Sequence, residues 1–425
     1  MPRFQRPTGT LDILPEDQPY WYHVRDRARH LAELAGFERI DVPMFEETQL
    51  FARGVGEGTD IVDKEMYSFQ DKGDHDITLR PEFTAGVLRA YVENGMRVLP
   101  QPVKLYIFGP IFRYERPQAG RYRQHTQFDV EILGDQDPAA DLEVMVLAWD
   151  LYAGLGFRDL AFQLNSTGCP KCKPGYIAVL KDYYAAHRDA ICEDCVRRME
   201  RSPLRVLDCK ADQCQPIIEN APHIIDYLCE ECAEHFATLR GYLDLLDRAY
   251  TINHRLVRGL DYYTKTVFEV WATGIGAQAA VVGGGRYDGL AEAIGGPPTP
   301  GVGFGSGIER IILVMKELEV QVPPLPAPPI FVAHLGAQAG QEAVRLTNML
   351  RRADVGTWMA FGRRGLKSQL REAGKRGARY VVILGEDELA AGTAVVRDME
   401  AGEQTDVALT GLVEWLKARV EPSQG

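Results

Sequence analysis

Arginine and acidic residues that could bind a charged substrate cluster in one stretch of the sequence, Lys104–Gly134. Its apolar patterning predicts two strands joined by a polar turn with glycine and proline, which indicates a hairpin with a long tip. Arginine forks bind phosphate groups well, and four of them fall within eleven residues around the tip: Arg113, Arg116, Arg121 and Arg123. The stretch therefore predicts a phosphate site; the alternative is an exposed hairpin with surface salt bridges.

The returning strand of this hairpin carries polar residues on one face. Gln127, Asp129 and Glu131 alternate with their neighbours, so their side chains point the same way. Two carboxylates and an amide are unfavourable to bury unless a ligand meets them. Because carboxylates suit an ammonium or an imidazole group, we expect a substrate with a cationic part beside its phosphate.

A second cluster follows a short strand that begins at Ile77 and breaks at Pro81. Glu82 and Thr84 lie at the junction between this strand and a predicted helix over 84–94, where side chains point into a cleft. The alternative is that Thr84 caps the helix and Glu82 complements its dipole. The two interpretations are compatible, so both residues are candidates for a binding site.

A third cluster lies in His254–Val270, where the pattern predicts a strand that ends at Val257 and a turn at Arg258–Gly259. Glycine lets the backbone approach a ligand closely, which would place the Arg258 cation at a binding surface. The adjacent Tyr262 and Tyr263 offer hydroxyl groups and aromatic walls. Taken alone, the stretch is also typical of a plain strand with an edge arginine.

Glycines dominate two stretches further along the chain. Gly283–Gly285 follows a β-rich run, and Gly301–Met315 runs from a glycine-rich strand into a helix with Arg310 in its first turns. Consecutive glycines let the backbone lie flat against a planar group or a phosphate. A glycine floor with an arginine above it suits a nucleobase that carries a phosphate tail.

All eight cysteines fall between Cys169 and Cys232, as three C-x-x-C pairs and one wider pair. A C-x-x-C turn lets two thiolates approach one metal ion, and two pairs complete a tetrahedral shell. We therefore predict structural zinc in one or two sites and leave the pairing open; free buried thiols are the alternative. The predicted ligands are Cys169, Cys172, Cys192, Cys195, Cys209, Cys214, Cys229 and Cys232.

The length of 425 residues exceeds one ordinary core and predicts two or three domains. The sequence has no apolar run long enough to span a bilayer and no apolar signal core at its start, so we expect a cytoplasmic protein without a membrane partner. The net charge of −12 argues against indiscriminate nucleic-acid binding, although a local basic patch can still act.

A proline-rich linker, 322–329, precedes a segment with β-α-β-α order, which predicts a small α/β domain with a mixed sheet. Between Arg351 and Arg379, nine lysines and arginines stand against two acidic residues. Such a concentration of positive charge indicates a surface for a polyanion, and a solvated helix face is the alternative.

Taken together, these stretches resemble the histidyl-tRNA synthetases, a family of class II aminoacyl-tRNA synthetases. TLRPEFTA is similar to the family's histidine-contacting segment, the hairpin to the second class II motif and GVGFGSGIER to the third. RGLDYYTKTVFEV and GGGRYDGL resemble the motifs specific for histidine. The resemblance covers nearly the whole chain. It implies ATP-dependent ligation of L-histidine to tRNA(His) through a histidyl-adenylate, with Mg²⁺ accompanying the ATP.

The resemblance also implies roles for individual residues. Arg113 and Arg258 would be catalytic and bind the α-phosphate of ATP from two sides, and Arg310 would bind on the γ-phosphate side. The residues expected to bind histidine are Glu82, Phe83, Thr84, Gln127, Glu131, Tyr262 and Tyr263. The residues expected to bind tRNA are Arg116, Gln118, Arg363, Arg364 and Lys367.

The fold implied by the resemblance is an α+β catalytic domain built on an antiparallel sheet, with a Cys-rich insertion and a C-terminal α/β anticodon-binding domain. The expected boundaries are 1–166 and 241–321 for the catalytic domain, 167–240 for the insertion, 322–329 for the linker and 330–425 for the C-terminal domain. A homodimer is implied as well, with its interface in 21–43. The sequence departs from the family pattern at Phe83, where glycine is common, at His125–Thr126, and in having the cysteine module.

Two alternatives from other classes share part of the resemblance. One is a regulatory paralogue, a synthetase-like subunit of the first histidine-biosynthesis enzyme, which typically lacks the C-terminal domain and the arginine pair. The other is a tRNA-binding module without catalysis. The presence of Arg113, Arg258 and the basic C-terminal segment favours the enzyme.

Overall fold

The chain forms two compact units, Met1–Pro323 and Pro324–Gly425. The division falls within the proline-rich segment 322–329, because proline has a fixed φ angle and no N–H donor and so disfavours helix and sheet. The computed structural model describes residues 4–56, 59–118, 120–272 and 280–420.

The first unit consists of one large sheet, one small sheet and helices. The strands are β1 (Glu38–Arg39), β2 (Phe45–Glu47), β3 (Tyr67–Gln70), β4 (Asp76–Leu79), β5 (Val103–Phe112), β6 (Gln124–Leu133), β7 (Leu160–Ser166), β8 (Tyr250–Ile252), β9 (Thr264–Ala272), β10 (Ala280–Arg286) and β11 (Gly301–Gly307). The helices are α1 (Gln18–Leu34), α2 (Thr48–Val55), α3 (Thr84–Glu93), α4 (Pro138–Gly154), α5 (Lys173–Ala186), α6 (Glu193–Arg201), α7 (Gln215–Glu219), α8 (Glu230–Leu245), α9 (Leu290–Ala293) and α10 (Ile308–Glu317).

The large sheet has eight strands in the order β1-β5-β6-β11-β10-β9-β7-β8. Its inner strands pair antiparallel, whereas β1 and β8 pair parallel with their neighbours at the two edges. β5 and β6 form the hairpin that the sequence predicts. A smaller antiparallel sheet consists of β2, β4 and β3. This architecture confirms the predicted α+β fold class.

Helices that cover one face of the large sheet decide which way the hairpin residues point. Phe128 and Val130 of β6 lie in one fully buried core cluster with Val144 and Leu151 of α4. Burial of each such side chain stabilises the fold by roughly 1.5–3 kcal/mol. Because successive residues of a strand alternate, the polar residues of β6 face the opposite side of the sheet.

The strand before Arg258, predicted to end at Val257, ends at Ile252 (β8), so the predicted end was wrong. Asn253 begins a turn instead, and its side-chain oxygen accepts a hydrogen bond from the Arg255 N–H group (3.1 Å). Such a local side-chain bond competes with strand pairing. Residues 253–263 are therefore an irregular loop, and this loop carries Arg258.

The segment between β7 and β8 contains the cysteines and has a small core of its own. Tyr176, Leu180 and Ile218 are buried in this core together with several of the cysteines. α8 packs against the core of the large sheet instead, through Phe236 and Leu239. The cysteine-containing segment is thus an insertion that is anchored on the sheet.

The second unit has the β-α-β-α order and the mixed sheet predicted from the sequence. Its strands are β12 (Ile330–His334), β13 (Thr357–Met359), β14 (Tyr380–Leu384), β15 (Thr393–Asp398) and β16 (Gln404–Ala408), and its helices are α11 (Ala337–Arg352), α12 (Leu366–Lys375), α13 (Glu386–Ala391) and α14 (Leu412–Val420). The sheet order is β13-β12-β14-β15-β16, with the first three strands parallel and the others antiparallel. Across both units, none of the helices in the described ranges combines the length and the apolar character that a membrane crossing requires.

Candidate active site

Arg258 lies directly against the glycine-rich strand β10. A Cβ atom at Gly283 would lie 2.2 Å from Nη2 of Arg258, so only glycine leaves room for the guanidinium group there. Glu269, which pairs with Gly283 across β9 and β10, forms an ion pair with Arg258. The other carboxylate oxygen of Glu269 accepts a hydrogen bond from Nε1 of Trp271 (2.9 Å). These contacts fix the guanidinium group over the sheet.

Arg113 follows the last residue of β5 and is held by the main chain of Pro81. Its Nε donates a hydrogen bond to the Pro81 carbonyl (2.8 Å). Arg113 and Arg258 both line a cavity of about 400 Å³, which we call the arginine cavity because Arg121 and Arg310 line it too. The same two arginines also line an adjoining niche of about 80 Å³. The structure therefore brings together two arginines from distant parts of the sequence.

The adjoining niche is acidic, and we call it the acidic niche. Its lining includes Glu82, Thr84, Gln127, Asp129, Tyr262, Tyr263 and Tyr287. Gln127 lines the arginine cavity as well, so it lies at the junction of the two spaces. An anion in the arginine cavity and a cationic group in the niche would lie next to each other.

Glu82, rather than Thr84, accepts hydrogen bonds at the start of α3, while the Thr84 hydroxyl contacts Glu131. The two carboxylate oxygens of Glu82 accept hydrogen bonds from the N–H groups of Thr84 (2.7 Å) and Ala85 (2.9 Å), so Glu82 itself caps α3. The Thr84 hydroxyl donates to Glu131 instead (2.7 Å), which corrects the alternative that Thr84 is the cap. Glu131 also accepts a hydrogen bond from the hydroxyl of Tyr287. Glu131 is buried, and its two partners, Thr84 and Tyr287, line the niche.

Three buried carboxyl groups lie close together around the niche. Burial raises the pKa of Glu131 to about 8 and also raises the pKa of Glu82. Burial together with the charges of Glu131 and Glu82 raises the pKa of Asp129 well above its usual range. Within the described residues, Oδ1 of Asp129 is buried and accepts no hydrogen bond. A cationic ligand would supply both the missing charge and the missing donor.

Tyrosine rings close the niche. The ring centroids of Tyr262 and Tyr263 lie 4.9 Å apart, and those of Tyr262 and Tyr287 lie 5.7 Å apart. Burial raises the pKa of Tyr263 to about 12, against the opposing effect of the nearby Arg258. The hydroxyl of Tyr263 therefore stays protonated and can donate or accept a hydrogen bond at neutral pH.

Phe83 is a predicted histidine-binding residue that does not line the niche. Its side chain is fully buried in a core cluster with Val87 and Ile107. The Arg80 guanidinium lies 4.6 Å from the centroid of its ring. The Phe83 ring therefore has a packing role, and a contact of this residue with histidine stays a prediction.

The other predicted residues lie in three places. Arg310, in the first turn of α10, lines the arginine cavity. Arg116 and Gln118 are exposed at the hairpin tip, where the main chain of Gln118 pairs with that of Arg121. In the second unit, Arg363, Arg364 and Lys367 are exposed around the start of α12.

Three residues of the site lie outside the set expected to bind histidine or ATP. Asp129 is on the polar face of the hairpin, which the alternation of the strand already indicates. Tyr287 lies inside the GGGRYDGL motif, so its position also offered a signal. No local signal in the sequence indicates Glu269, because its contact with Arg258 depends on the pairing of β9 with β10.

The cysteines form two groups of four. The first cysteine cluster consists of Cys169, Cys172, Cys229 and Cys232, and the second consists of Cys192, Cys195, Cys209 and Cys214. All eight thiols are free, and the sulfur atoms of each cluster lie within 4.8 Å of one another. Individual sulfur pairs are separated by 3.7 to 3.9 Å. Tetrahedral ligation at a zinc–sulfur distance of about 2.3 Å would space the sulfurs about 3.8 Å apart, so both clusters fit one zinc ion each.

Comparisons with known proteins agree on one family. The family model described as "Histidyl-tRNA synthetase" matches residues 9–171 and 204–311, and the one described as "Anticodon binding domain" matches residues 329–419. "Histidine--tRNA ligase" of Dehalococcoides mccartyi is 50% identical over 98% of this chain and 100% of the relative. The protein of the same name from Desulforamulus reducens is 50% identical over 97% of this chain and 99% of the relative.

A solved structure gives the same result. Apo histidyl-tRNA synthetase of S. aureus matches with a TM-score of 0.82 and 36% identity, over 98% of this chain and 100% of that chain. The family model skips residues 172–203, which lie within the cysteine-containing insertion. The rest of the match covers the arginine cavity, the acidic niche and the second unit. On these grounds the chain belongs to the histidyl-tRNA synthetase family.

Proposed function

We propose that this protein is a histidine–tRNA ligase that converts ATP, L-histidine and tRNA(His) into AMP, pyrophosphate and L-histidyl-tRNA(His). The observation that carries the proposal is that Arg113 and Arg258 line both the arginine cavity and the acidic niche. A histidine bound in the niche would present its carboxylate to the α-phosphate of ATP between two guanidinium groups. Family membership supports the same activity.

In the first step, a carboxylate oxygen of histidine attacks the α-phosphorus of ATP. The bond from that phosphorus to the bridging oxygen of the leaving pyrophosphate breaks, which leaves histidyl-adenylate. Arg113 and Arg258 would stabilise the negative charge that builds on the phosphate oxygens. In the second step, a terminal ribose hydroxyl of the tRNA attacks the histidyl carbonyl and AMP leaves. Positioning and electrostatics suffice for this chemistry, since no enzyme nucleophile is required.

The niche would recognise the two polar ends of histidine separately. Glu131 and Tyr263 would hold the imidazole, with Thr84 and Tyr287 fixing the Glu131 carboxyl. We add Asp129 as an acceptor for the α-ammonium group, because its free oxygen is buried in the niche. Glu82, whose oxygens already accept two main-chain hydrogen bonds, would act mainly through its charge. Gln127 would lie near the carboxylate, and Tyr262 would wall the niche.

Mg²⁺ would enter the site bound to ATP and neutralise its triphosphate. Glu65 and Glu115 line the arginine cavity, and carboxylate oxygens are the ligands that Mg²⁺ prefers. Burial and the charge of Glu115 raise the pKa of Glu65, so a divalent cation beside this pair would relieve their repulsion. Arg310 would bind on the γ-phosphate side.

The tRNA would meet two separate surfaces. Arg116 and Gln118 at the exposed hairpin tip would contact the acceptor end. The basic residues Arg363, Arg364 and Lys367 would contact the anticodon region, which agrees with the match of the second unit to an anticodon-binding domain. Exposed guanidinium and ammonium groups bind the phosphate backbone in a salt-dependent way.

We expect the purified chain to exchange pyrophosphate into ATP only when L-histidine is present. The exchange requires adenylate formation, because it reverses the first step, and it does not require tRNA. The regulatory paralogue, which the second unit and the arginine pair argue against, would show no exchange. A purified, folded chain without histidine-dependent exchange would overturn the proposal.

We further propose that each cysteine cluster holds one structural zinc ion. The three C-x-x-C pairs lie at the starts of α5, α6 and α8, and helix N-termini stabilise thiolates. Main-chain N–H groups of Cys169 and Cys192 also donate hydrogen bonds to cysteine sulfurs (3.2 Å in both cases). Zinc would supply tetrahedral cross-links to an insertion that has only a small core of its own.

Metal analysis of the purified chain should give two zinc ions per chain. Cys192→Ser removes one ligand of the second cysteine cluster, so we expect this variant to retain one zinc ion, at the first cluster. Elemental analysis by mass spectrometry, after dialysis against a weak chelator, measures both values. Zero zinc in the wild-type chain would contradict the proposal and favour free buried thiols.

A cytoplasmic homodimer completes the proposal. Free thiols suit a reducing compartment, and the reaction needs the ATP and tRNA found there. Exposed apolar side chains lie in and just after the segment expected at the interface: Tyr22, Leu34, Met44 and Phe45. Sedimentation equilibrium of the purified chain tests the dimer, and a monomer mass at micromolar concentration would contradict it.

A further inference from the structure

The main-chain carbonyl of Tyr263 is held by two side chains that belong to the insertion. Thr167 donates a hydrogen bond to it from Oγ1 (3.1 Å), and Lys173 donates from Nζ (3.3 Å). Between Thr167 and Lys173 lie Cys169 and Cys172, which form half of the first cysteine cluster. The same short segment therefore supplies two metal ligands and two anchors for a residue of the acidic niche.

The other half of the first cysteine cluster holds the next part of the same loop. Glu231, which lies between Cys229 and Cys232, forms an ion pair with Nζ of Lys265 (3.0 Å). Lys265 has a left-handed backbone (φ 50°), a conformation that side chains adopt only when their surroundings enforce it. Its main chain pairs with Thr167 and Gly168, through hydrogen bonds of 2.7 and 2.8 Å. Residues next to both halves of the first cysteine cluster thus bind the stretch 263–265.

A displacement of this stretch would reach the substrate directly. The Tyr263 ring packs against Gly285, where a Cβ atom would lie 2.8 Å from the ring. Tyr263 lines the niche beside Arg258. The preceding residues 253–262 have no regular secondary structure, so anchors from outside the loop help to set the position of Tyr263, together with the packing of its ring against Leu256 and Val267.

We propose that Lys173 and Thr167 are positioning residues, through which the first cysteine cluster sets the affinity of the acidic niche for histidine. This inference rests on the proposed function, because it concerns the niche as a histidine site. It assigns the insertion a part in amino-acid activation. The anchors act through the main chain of Tyr263 and do not touch the substrate.

Lys173→Met tests the inference in the full-length chain. We expect the KM for histidine in pyrophosphate exchange to rise about tenfold, the loss expected for one charge-assisted hydrogen bond. The KM for ATP and the zinc content should stay at the wild-type values, since neither depends on the Tyr263 carbonyl. Thr167→Val should raise the KM for histidine by a smaller factor, because a neutral donor is lost. It also provides a second test if Lys173→Met does not fold.

Lys181→Met is the matched control, because Lys181 lies about two turns further along α5 and is also half-buried. It should leave both KM values unchanged. An unchanged KM for histidine in a folded, zinc-loaded Lys173→Met chain would overturn the inference while the proposed function stands. Equal rises in the KM for histidine and for ATP, or loss of zinc from this variant, would overturn it too. Absence of exchange in the wild-type chain would instead defeat the proposed function.

Discussion

Replacement of Arg258 by alanine should reduce kcat/KM for histidine-dependent pyrophosphate exchange by about 10²–10³-fold, the range seen when one preorganised donor to a developing charge is removed. The guanidinium group is held over Gly283 by the Glu269 ion pair, so little reorganisation is needed when charge builds on the phosphate. Steady-state exchange kinetics with saturating ATP measure the change. Binding of tRNA(His), followed by filter retention, should stay at the wild-type level.

Arg255→Ala is the control for this prediction. Arg255 lies in the same loop and lines a neighbouring cavity with Arg258, but it lines neither the arginine cavity nor the acidic niche. Its guanidinium group donates a hydrogen bond to the side chain of Gln215 (2.6 Å). Its replacement should leave exchange unchanged. A loss below tenfold in Arg258→Ala would show that the arginine pair does not act on a common phosphate. A protein that binds tRNA without catalysis would show no histidine-dependent exchange even before the substitution.

Substitution of Gly303 by alanine is expected to have the second largest effect. A Cβ atom there would lie 1.9 Å from a carboxylate oxygen of Glu131 and 2.4 Å from the Val130 carbonyl. The added methyl group would overlap the Glu131 carboxylate, so that side chain must leave its position and lose its hydrogen bonds to Thr84 and Tyr287. The Val130 carbonyl belongs to β6 and cannot move away, so this second overlap strains the sheet. We expect the KM for histidine to rise about 10- to 100-fold and the free energy of unfolding to fall by about 1–3 kcal/mol.

Gly289→Ala provides the comparison for Gly303→Ala. A Cβ atom at Gly289 would meet no heavy atom within 4 Å, and its φ of −93° is open to any residue. Histidine-dependent exchange and urea unfolding, measured on both variants, separate the two positions. If Gly303→Ala kept the wild-type KM for histidine, Glu131 would not belong to the histidine site.

Local sequence patterns were sufficient for much of the fold and part of the site. The alternation of β6 placed Gln127, Asp129 and Glu131 on one face, because a strand turns successive side chains to opposite sides. The C-x-x-C spacing identified six candidate ligands, since the turn itself brings two thiolates together, and the wider pair in the same segment supplied the other two. In the second unit, the period of the apolar residues gave the order of strands and helices.

Other features could not be read from local patterns. The pattern near Val257 indicated a strand, but the Asn253 side chain forms a turn there. Phe83 follows Glu82 in a segment that resembles the family's histidine-contacting segment, yet its ring is buried in the core. The division of the cysteines into two clusters depends on the path of the chain through the insertion, so the spacing left it open.

The sequence by itself determined which chemical groups the protein has and which way each element presents them. Only the tertiary structure decided that Arg258 and Arg113 line the same cavity, that Glu269 pairs with Arg258 and that Lys173 donates a hydrogen bond to the Tyr263 carbonyl. The physical reason is the distance along the chain over which each effect acts. Side-chain alternation and turn geometry act over a few residues. Contacts between residues far apart in sequence require β10 and β11 to lie between β6 and β9 in the sheet. In that order, the apolar faces of these strands pack against α4 and its neighbours as one core.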